Sequence, residues 1–494
     1  MNLDNIASLD YFYPEIILAG TILLVILLDL GVKNKRALGL LSILGCLASF
    51  AATVELYGVP GGFLFHRMIA LDHFSLFFKI VALSATIVVL WMSLDSREVL
   101  SMHQGEYEAI LLSSALGMFF MASSTNLLMA YLSLEMVSIT SYILTGFLPR
   151  NRRSSEAALK YLIYGGVASG AMIYGMSWIF GLTGSLDYGQ IHAALFQSGP
   201  NRLPIFIAFV LILAGFGYKI VFVPFHMWSP DVYQGAPTPF TAFLSVASNA
   251  AGVAILLRFF FTVSEPARDG GWLYLQGVEW PQLLLVVSMA TMTLGNLSAL
   301  SQQNLKRMLA YSGIAHAGYI LMGLVVLNHE GLQAMLFYIV VYLIMNLGAF
   351  LVVVLVANAT GKEEIDGYRG LAWRGSAVPA VAMAIFLFSL TGLPPLAGFA
   401  GKFLLFAALV SKGDSLSITL AIIGVLNSAI SLYYYARVVK VMFLDFPEPS
   451  DGRIELNPSA ATLLGLLSAM TLVLGVYWGP LVAFTNQSLQ FFTK

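Results

Sequence analysis

Residues 126–147 read NLLMAYLSLEMVSITSYILTGF, a run of apolar and small side chains around a single acid, Glu135. A helix needs about 20 such residues to cross the hydrocarbon of a bilayer. Glu135 lies near the middle of the run, about two turns from the polar break on either side, too deep to snorkel to the surface. A carboxylate placed there must pair with a cation or keep its proton. This stretch therefore reads as a membrane helix with a switchable group inside it.

The same pattern recurs along the 494-residue chain. Hydrophobic residues make up 59% and charged residues 10%, where a soluble domain carries about 25% charged. Charges this sparse cannot cover soluble bodies of such a size, so the bilayer is the solvent. Apolar stretches fall near 13–31, 38–57, 74–94, 107–124, 126–147, 156–183, 203–222, 240–262, 280–300, 305–327, 330–357, 378–410, 417–444 and 459–485. They predict an all-α polytopic membrane protein of about fourteen helices. The expected units are a three-helix segment over 1–106, five-helix units over 107–262 and 276–444, and a C-terminal helix within 459–494.

A formal charge of −1 leaves no basic surface for a polyanion, which sets nucleic acid aside as a partner. Cys46 is the single cysteine, so no internal disulfide, cysteine-held zinc or iron–sulfur site, or attached c-type haem is expected. No HExxH or GxSxG run and no P-loop supports metal, acyl or phosphate chemistry. The start, MNLDN, lacks a basic n-region, and no cleaved signal is expected. Fifteen basic residues, among them Arg36, Arg153, Lys306, Arg307 and Arg374, fall in breaks on one side of the bundle. Five fall on the other: Arg67, Arg202, Arg268, Lys412 and Lys494. The positive-inside rule then places both termini on the non-cytoplasmic side.

Two fragments recur in the same order. YILTG at Tyr142 to Gly146 matches YILMG at Tyr319 to Gly323, and AGFGYK at Ala214 to Lys219 matches AGFAGK at Ala397 to Lys402. Each pair lies about 180 residues apart, which argues for a duplication. An odd number of crossings between the copies turns the second upside down, the inverted-repeat plan of many transporters. Both copies carry a broken helix: Pro224 and Pro230 follow Lys219, while Pro394 and Pro395 precede Lys402. Proline removes a backbone donor, and freed carbonyls at membrane depth persist only beside protein or a water-filled cavity.

Lys79, Lys160, Lys219, Arg258 and Lys402 fall inside apolar spans, each at a cost of about 2.5 to 3.5 kcal/mol on insertion scales. Arg258 and Lys79 are expected to snorkel or to pair within the bundle. Lys219 complements Glu135, and a Glu/Lys pair whose balance flips as a proton arrives is a relay element. Lys160 has two readings: an i to i+4 pair with Glu156, or a competitor of Lys219 for Glu135. His316 lies about 15 Å beyond Lys306 on one helix and titrates near neutrality, which fits either a relay or a hydrogen-bonded structural residue. His226 reads as a cap or interface residue. Gly165, Gly166, Gly170 and Gly175 form a candidate packing face.

Taken together, the run around Glu135, GYKIVFVPFHMWSPDVYQGAPTPFTAFLSV, NLKRMLAYSGIAHAGYILMG and GLPPLAGFAGKFLLF resemble the antiporter-like membrane subunits of respiratory complex I, over about Asp72 to Phe443. PFHMWSPDVYQGAPTPF is most similar to the N branch of that family, Lys402 stands where the M branch has a glutamate, and no long lateral helix of the L type follows the last span. The resemblance implies a proton-translocating subunit of NADH:quinone oxidoreductase in a bacterial inner membrane, assembled with other membrane subunits. It implies NADH, FMN, iron–sulfur clusters and quinone on the rest of the complex, and no cofactor or metal in this chain. The family's relay glutamate and lysines map to Glu135, Lys160, Lys219 and Lys402. One position departs: where the family usually has a lysine after PFHMWSP, this chain has Asn249, which cannot take up a proton. Water or His316 then has to bridge the two halves. Quinone chemistry elsewhere is expected to reset the relay electrostatically, since two charges about 4 Å apart interact by roughly 4 kcal/mol at an effective dielectric near 20. The rivals are a subunit of a multisubunit sodium/proton antiporter or membrane-bound hydrogenase, and a structural membrane scaffold.

Overall fold

The computed structural model describes residues 3–100, 103–197, 202–266, 272–274, 278–447, 453–454 and 456–490. Arg268 and Lys494, which entered the charge asymmetry, lie outside the described residues.

The long helices follow the apolar runs closely. They are α1 (Tyr13–Asp29), α2 (Arg36–Glu55), α3 (His73–Ser93), α4 (Gln104–Ser123), α5 (Leu127–Thr145) and α6 (Arg152–Thr183). After them come α7 (Arg202–Ile220), α8 (Ser229–Gly235) and α9 (Thr238–Thr262), the last with a π turn over Leu244–Ser248. The second half holds α10 (Trp280–Leu300), α11 (Leu305–Val326), α12 (His329–Thr360), α13 (Val378–Thr391), α14 (Ala397–Lys412), α15 (Ser415–Phe443), α16 (Pro458–Val476) and α17 (Gly479–Ser488).

Eleven of these helices are long and apolar enough to cross a membrane. Three expected spans fall short of that measure. α1 has only 17 residues, α4 opens on Gln104, Glu106 and Glu108, and the stretch 378–410 divides into α13 and α14. The expected last span, 459–485, also divides, between α16 and α17, because Pro480 has no N–H with which to continue the ladder. Side chains cap the starts: Asn126, Asn151, Asn304, Asn328, Asp414 and Asn457 each accept a backbone N–H of the helix that follows.

Three helices make the core. The apolar window of α9 is wholly buried, and those of α11 and α12 nearly so. Polar groups on these helices cannot reach surrounding lipid and must be satisfied inside. By contrast α2, α15 and α16 turn most of their surface outward. The candidate glycine face splits: a Cβ on Gly165 would lie 1.9 Å from Tyr142 Oη and one on Gly175 2.7 Å from Ala208 O, whereas Gly166 and Gly170 have nothing within 4 Å. Neighbouring positions point roughly 100° apart on a helix, so the four cannot share one face.

Both breaks appear where proline and glycine cluster. α7 ends at Ile220, Val221 takes a positive φ of 69°, and Val223–Pro224 is cis. In the second break Gly392 has φ 95° and Pro394–Pro395 is cis. Lys219 is in the last turn before its break, and Lys402 is in the second turn after its own.

Candidate functional site

Glu135 sits on α5 with Oε1 buried and no hydrogen-bond partner among the described residues. Lys219, 1% exposed at the end of α7, likewise has Nζ buried without a hydrogen-bond partner among the described residues, and Glu135 is the carboxylate whose field reaches it. The ammonium stem packs against α9, where a Cβ on Gly252 would lie 3.2 Å from Lys219 Cγ. Asn249 stands one turn earlier on the same face of α9.

Asn249 begins a polar bridge to the second half. Its Nδ2 donates to Ser245 O at 3.1 Å, and Ser245 Oγ accepts from Asn346 Nδ2 of α12 at 2.7 Å. The preceding π turn resets the register that presents Ser245 and Asn249 together. The Tyr233 hydroxyl lies against Asn249 and Ser229, and a Cβ on Gly313 would lie 3.2 Å from Tyr342 Oη and 4.0 Å from Tyr233 Oη. Asn249 Oδ1, Asn346 Oδ1 and Tyr342 Oη are all buried with no hydrogen-bond partner among the described residues, the kind of polar atom that ordered water can satisfy.

His316 continues the line on α11. Its ring centroid is 4.8 Å from that of Tyr342, and Nδ1 is 2.7 Å from Tyr338 Oη. Nε2 faces Tyr435 Oη at 3.4 Å, and Tyr435 bonds Ser312. Lys402 closes the line: Nζ donates to Thr391 O at 2.9 Å and Ser428 Oγ at 3.1 Å and lies 4.2 Å over the Tyr319 ring. A cation over an aromatic face inside the bundle is stabilised by the ring quadrupole.

Lys160 and Lys306 lie apart from this line. Lys160 Nζ is 2.8 Å from Glu156 Oε1 and 2.6 Å from Asp231 Oδ2. Tyr161 meets Tyr142 across α5 and α6, with centroids 4.9 Å apart, and Glu135 is seven residues deeper, about 10 Å along the helix. The Lys160 side chain leans the other way, toward the start of α6. Lys306 donates to Ala236 O at 2.8 Å and pairs with Glu363 at 3.0 Å. His226 is buried, and its carbonyl accepts from Ser229 N, so it closes the turn before α8.

The other intramembrane cations are matched within the bundle. Arg258 makes a bidentate pair with Asp72 at 2.7 and 2.8 Å and donates to Ala122 O at 2.8 Å. Lys79 meets Glu15 at 2.5 Å, both buried. These pairs hold the N-terminal helices and are separate from the line between Glu135 and Lys402. The tyrosines, Asn346, Ser428 and Asp231 carry no signal in the sequence beyond being polar in apolar surroundings; Asp231 alone stands out, as the acid in the run between the two halves of a broken helix.

A family model described as NADH:quinone oxidoreductase/Mrp antiporter, TM, matches residues 124–431, which contain this whole line. A protein of Anaeromyxobacter sp. (strain Fw109-5) named NADH-quinone oxidoreductase subunit N is 46% identical over 99% of this chain and 98% of its own length. The chain belongs to the NADH-quinone oxidoreductase subunit N family. Another subunit N, from Sorangium cellulosum (strain So ce56), is 47% identical over 99% of this chain and 98% of its own. A chain in a structure of respiratory complex I from Thermus thermophilus with bound aureothin superposes with a TM-score of 0.79, at 29% identity, covering 95% of this chain and 98% of that one. The subunit N family thus accounts for the fold from end to end, including the N-terminal helices that lie outside the family model.

Proposed function

We propose that this chain moves protons across a bacterial inner membrane as subunit N of NADH:quinone oxidoreductase, driven by quinone reduction elsewhere in the complex. The carrying observation is the line of buried polar side chains that runs from Glu135 and Lys219 through Asn249, Tyr233, Asn346 and Tyr342 to His316 and Lys402. Lys219 and Lys402 hold the transported proton in turn. Glu135 supplies the counter-charge at the first, and His316 passes the proton toward the second. Asn249 cannot carry a proton, so it orders water between the halves. Lys160 and Lys306 act from the rim, through their carboxylate partners. NADH, FMN, iron–sulfur clusters and quinone belong to the other subunits.

Fourteen crossings, counting α1, α4 and the broken α13–α14 pair, place both termini on the periplasmic side by the excess of basic residues at the opposite face. The five-helix units over 107–262 and 276–444 are inverted relative to each other, with other membrane subunits and lipid around them. A cation-antiporter subunit shares the family model and is less favoured, because the relatives that are 46% and 47% identical along the chain are named for NADH-quinone oxidoreductase.

The test is Lys219→Ala. Proton pumping and quinone reduction are measured in the same membranes, with assembly of the complex checked on the same samples. Pumping is expected to disappear at normal assembly; full pumping would demote the lysine to structure and end the relay reading.

A further inference from the structure

Asp231 takes a cation from each half of the protein. On α8, inside the first repeat, its Oδ2 accepts from Lys160 Nζ of α6 at 2.6 Å and its Oδ1 from Arg307 Nη1 of α11, in the second repeat, at 2.5 Å. Arg307 also donates to Gln234 Oε1 at 3.2 Å, and its neighbour Lys306 holds Ala236 O at the end of the same short helix. The charged groups around Asp231 are Arg153, Glu156 and Lys160 from α6, Lys306 and Arg307 from α11, and Glu363 after α12. Several of them line a polar cavity of about 170 Å³.

The clasp sits directly above the relay. α8 lies flat on α6, since a Cβ on Gly235 would be 2.6 Å from both Ala157 Cβ and Arg153 O. Trp228, just before α8, stacks on Tyr161 at 4.2 Å and donates through Nε1 to the carbonyl of Tyr218, the residue next to Lys219. The middle of α11, nine residues on from Arg307, carries His316, whose surroundings include Lys402. One rigid helix therefore joins the second lysine's neighbourhood to Asp231, and Asp231 to the first lysine.

We propose that Asp231 is a positioning residue through which the second repeat sets the proton load of the first: shared by Lys160 and Arg307, its carboxylate changes the field at Lys219 as α11 shifts. The inference rests on the reading of Lys219 as a proton carrier. Glu156, Asp231, Lys160 and Arg307 together carry no net charge. Drawing Arg307 away uncovers a negative charge above Lys219 and favours loading; its return favours release. The charged group whose field reaches Lys219 is Glu135 from α5; Tyr142 from α5 and Tyr161 from α6 stand against its chain neighbour Tyr218, and on α9 Gly252 touches its stem with Asn249 one turn earlier.

Opposite charge changes must then act in opposite directions, which a purely structural clasp would not do. Pumping per quinone reduced is measured against pH in membranes carrying Asp231→Asn, Arg307→Gln or both, with assembly checked on each. On the alkaline limb, where loading fails, Asp231→Asn is expected to move the half-maximal pH down by about half a unit and Arg307→Gln to move it up by about as much. The double variant restores neutrality and is expected to return close to the unchanged profile. High salt shrinks both shifts, because these groups are partly exposed. Shifts of one sign, or none, at normal assembly would overturn the proposal. Should Asp231→Asn fail to assemble, Arg307→Gln and Lys160→Gln decide alone: each must shift the limb upward, and absence of that shift overturns it. Lys219→Ala separates the two levels. Surviving pumping there defeats the relay itself, whereas lost pumping there without opposite shifts defeats only the role given to Asp231.

Discussion

The two broken helices solve the same problem with different chemistry. In the first, Lys219 precedes the break, makes no hydrogen bond among the described residues, and faces a carboxylate on a neighbouring helix. In the second, Lys402 follows the break and is held by a carbonyl, a hydroxyl and an aromatic face, with no acid among its hydrogen-bond partners. The first lysine is stabilised by charge and the second by dipoles. A site balanced by one opposite charge responds steeply when that charge changes, while a site balanced by several neutral groups responds weakly to the loss of any one. In the proposed relay this makes the first half the one that switches and the second the one that holds a proton until it leaves.

That contrast is sharpest at Glu135. Glu135→Ala leaves a buried ammonium with no counter-charge and is expected to lower pumping at least tenfold at normal assembly, equivalent to about 1.4 kcal/mol or more. Retained pumping would erase the distinction between the two halves. Between them, Tyr338→Phe removes the hydroxyl 2.7 Å from His316 Nδ1 while keeping its ring, and a loss of roughly five- to tenfold is expected from one missing hydrogen bond at the end of the bridge. Pumping and quinone reduction measured together would show whether the bridge limits transfer.

Ser428→Ala should matter less, by about two- to threefold, because Thr391 O and the Tyr319 ring still hold Lys402. A loss as large as that of Glu135→Ala would show that the second site, too, depends on a single partner. The backbones differ in the same spirit. Gly392, with φ 95°, lies so close to Lys402 that a Cβ would meet Cδ at 3.0 Å. Gly392→Ala is expected to destabilise the protein by about 1 to 3 kcal/mol, read as a lower unfolding temperature. At the first break a β-branched residue, Val221, already occupies φ 69°. Val221→Gly should change stability by no more than about 1 kcal/mol, in the stabilising direction.

Much of this protein was legible along the chain. Burial of apolar runs, the cost of a charge inside them, and the breaks made by proline and glycine are properties of short segments. They placed the helices within a few residues and singled out Glu135, Lys219, His316 and Lys402. Local reading also separated Pro224, Pro230, Pro394 and Pro395 from ordinary span residues. It could not choose between the two roles of Lys160, since Glu156 lies one turn away in sequence while Asp231 comes close only when α8 folds back onto α6. Asp72 for Arg258 and Glu15 for Lys79 were equally hidden, each pair being joined by packing between helices distant in the chain.

By itself, then, the sequence determined that this is a membrane helix bundle, where it bends, and which side chains carry titratable charge into it, because those follow from summed local preferences. Only the tertiary structure decided which charges balance one another, that the glycines of α6 divide between two faces, and that Tyr233, Asn346 and Tyr342 stand where a lysine is absent at Asn249. Each of those depends on helices far apart in the chain meeting at atomic distance, and a hydrogen bond or ion pair is lost when that distance grows by an ångström or two.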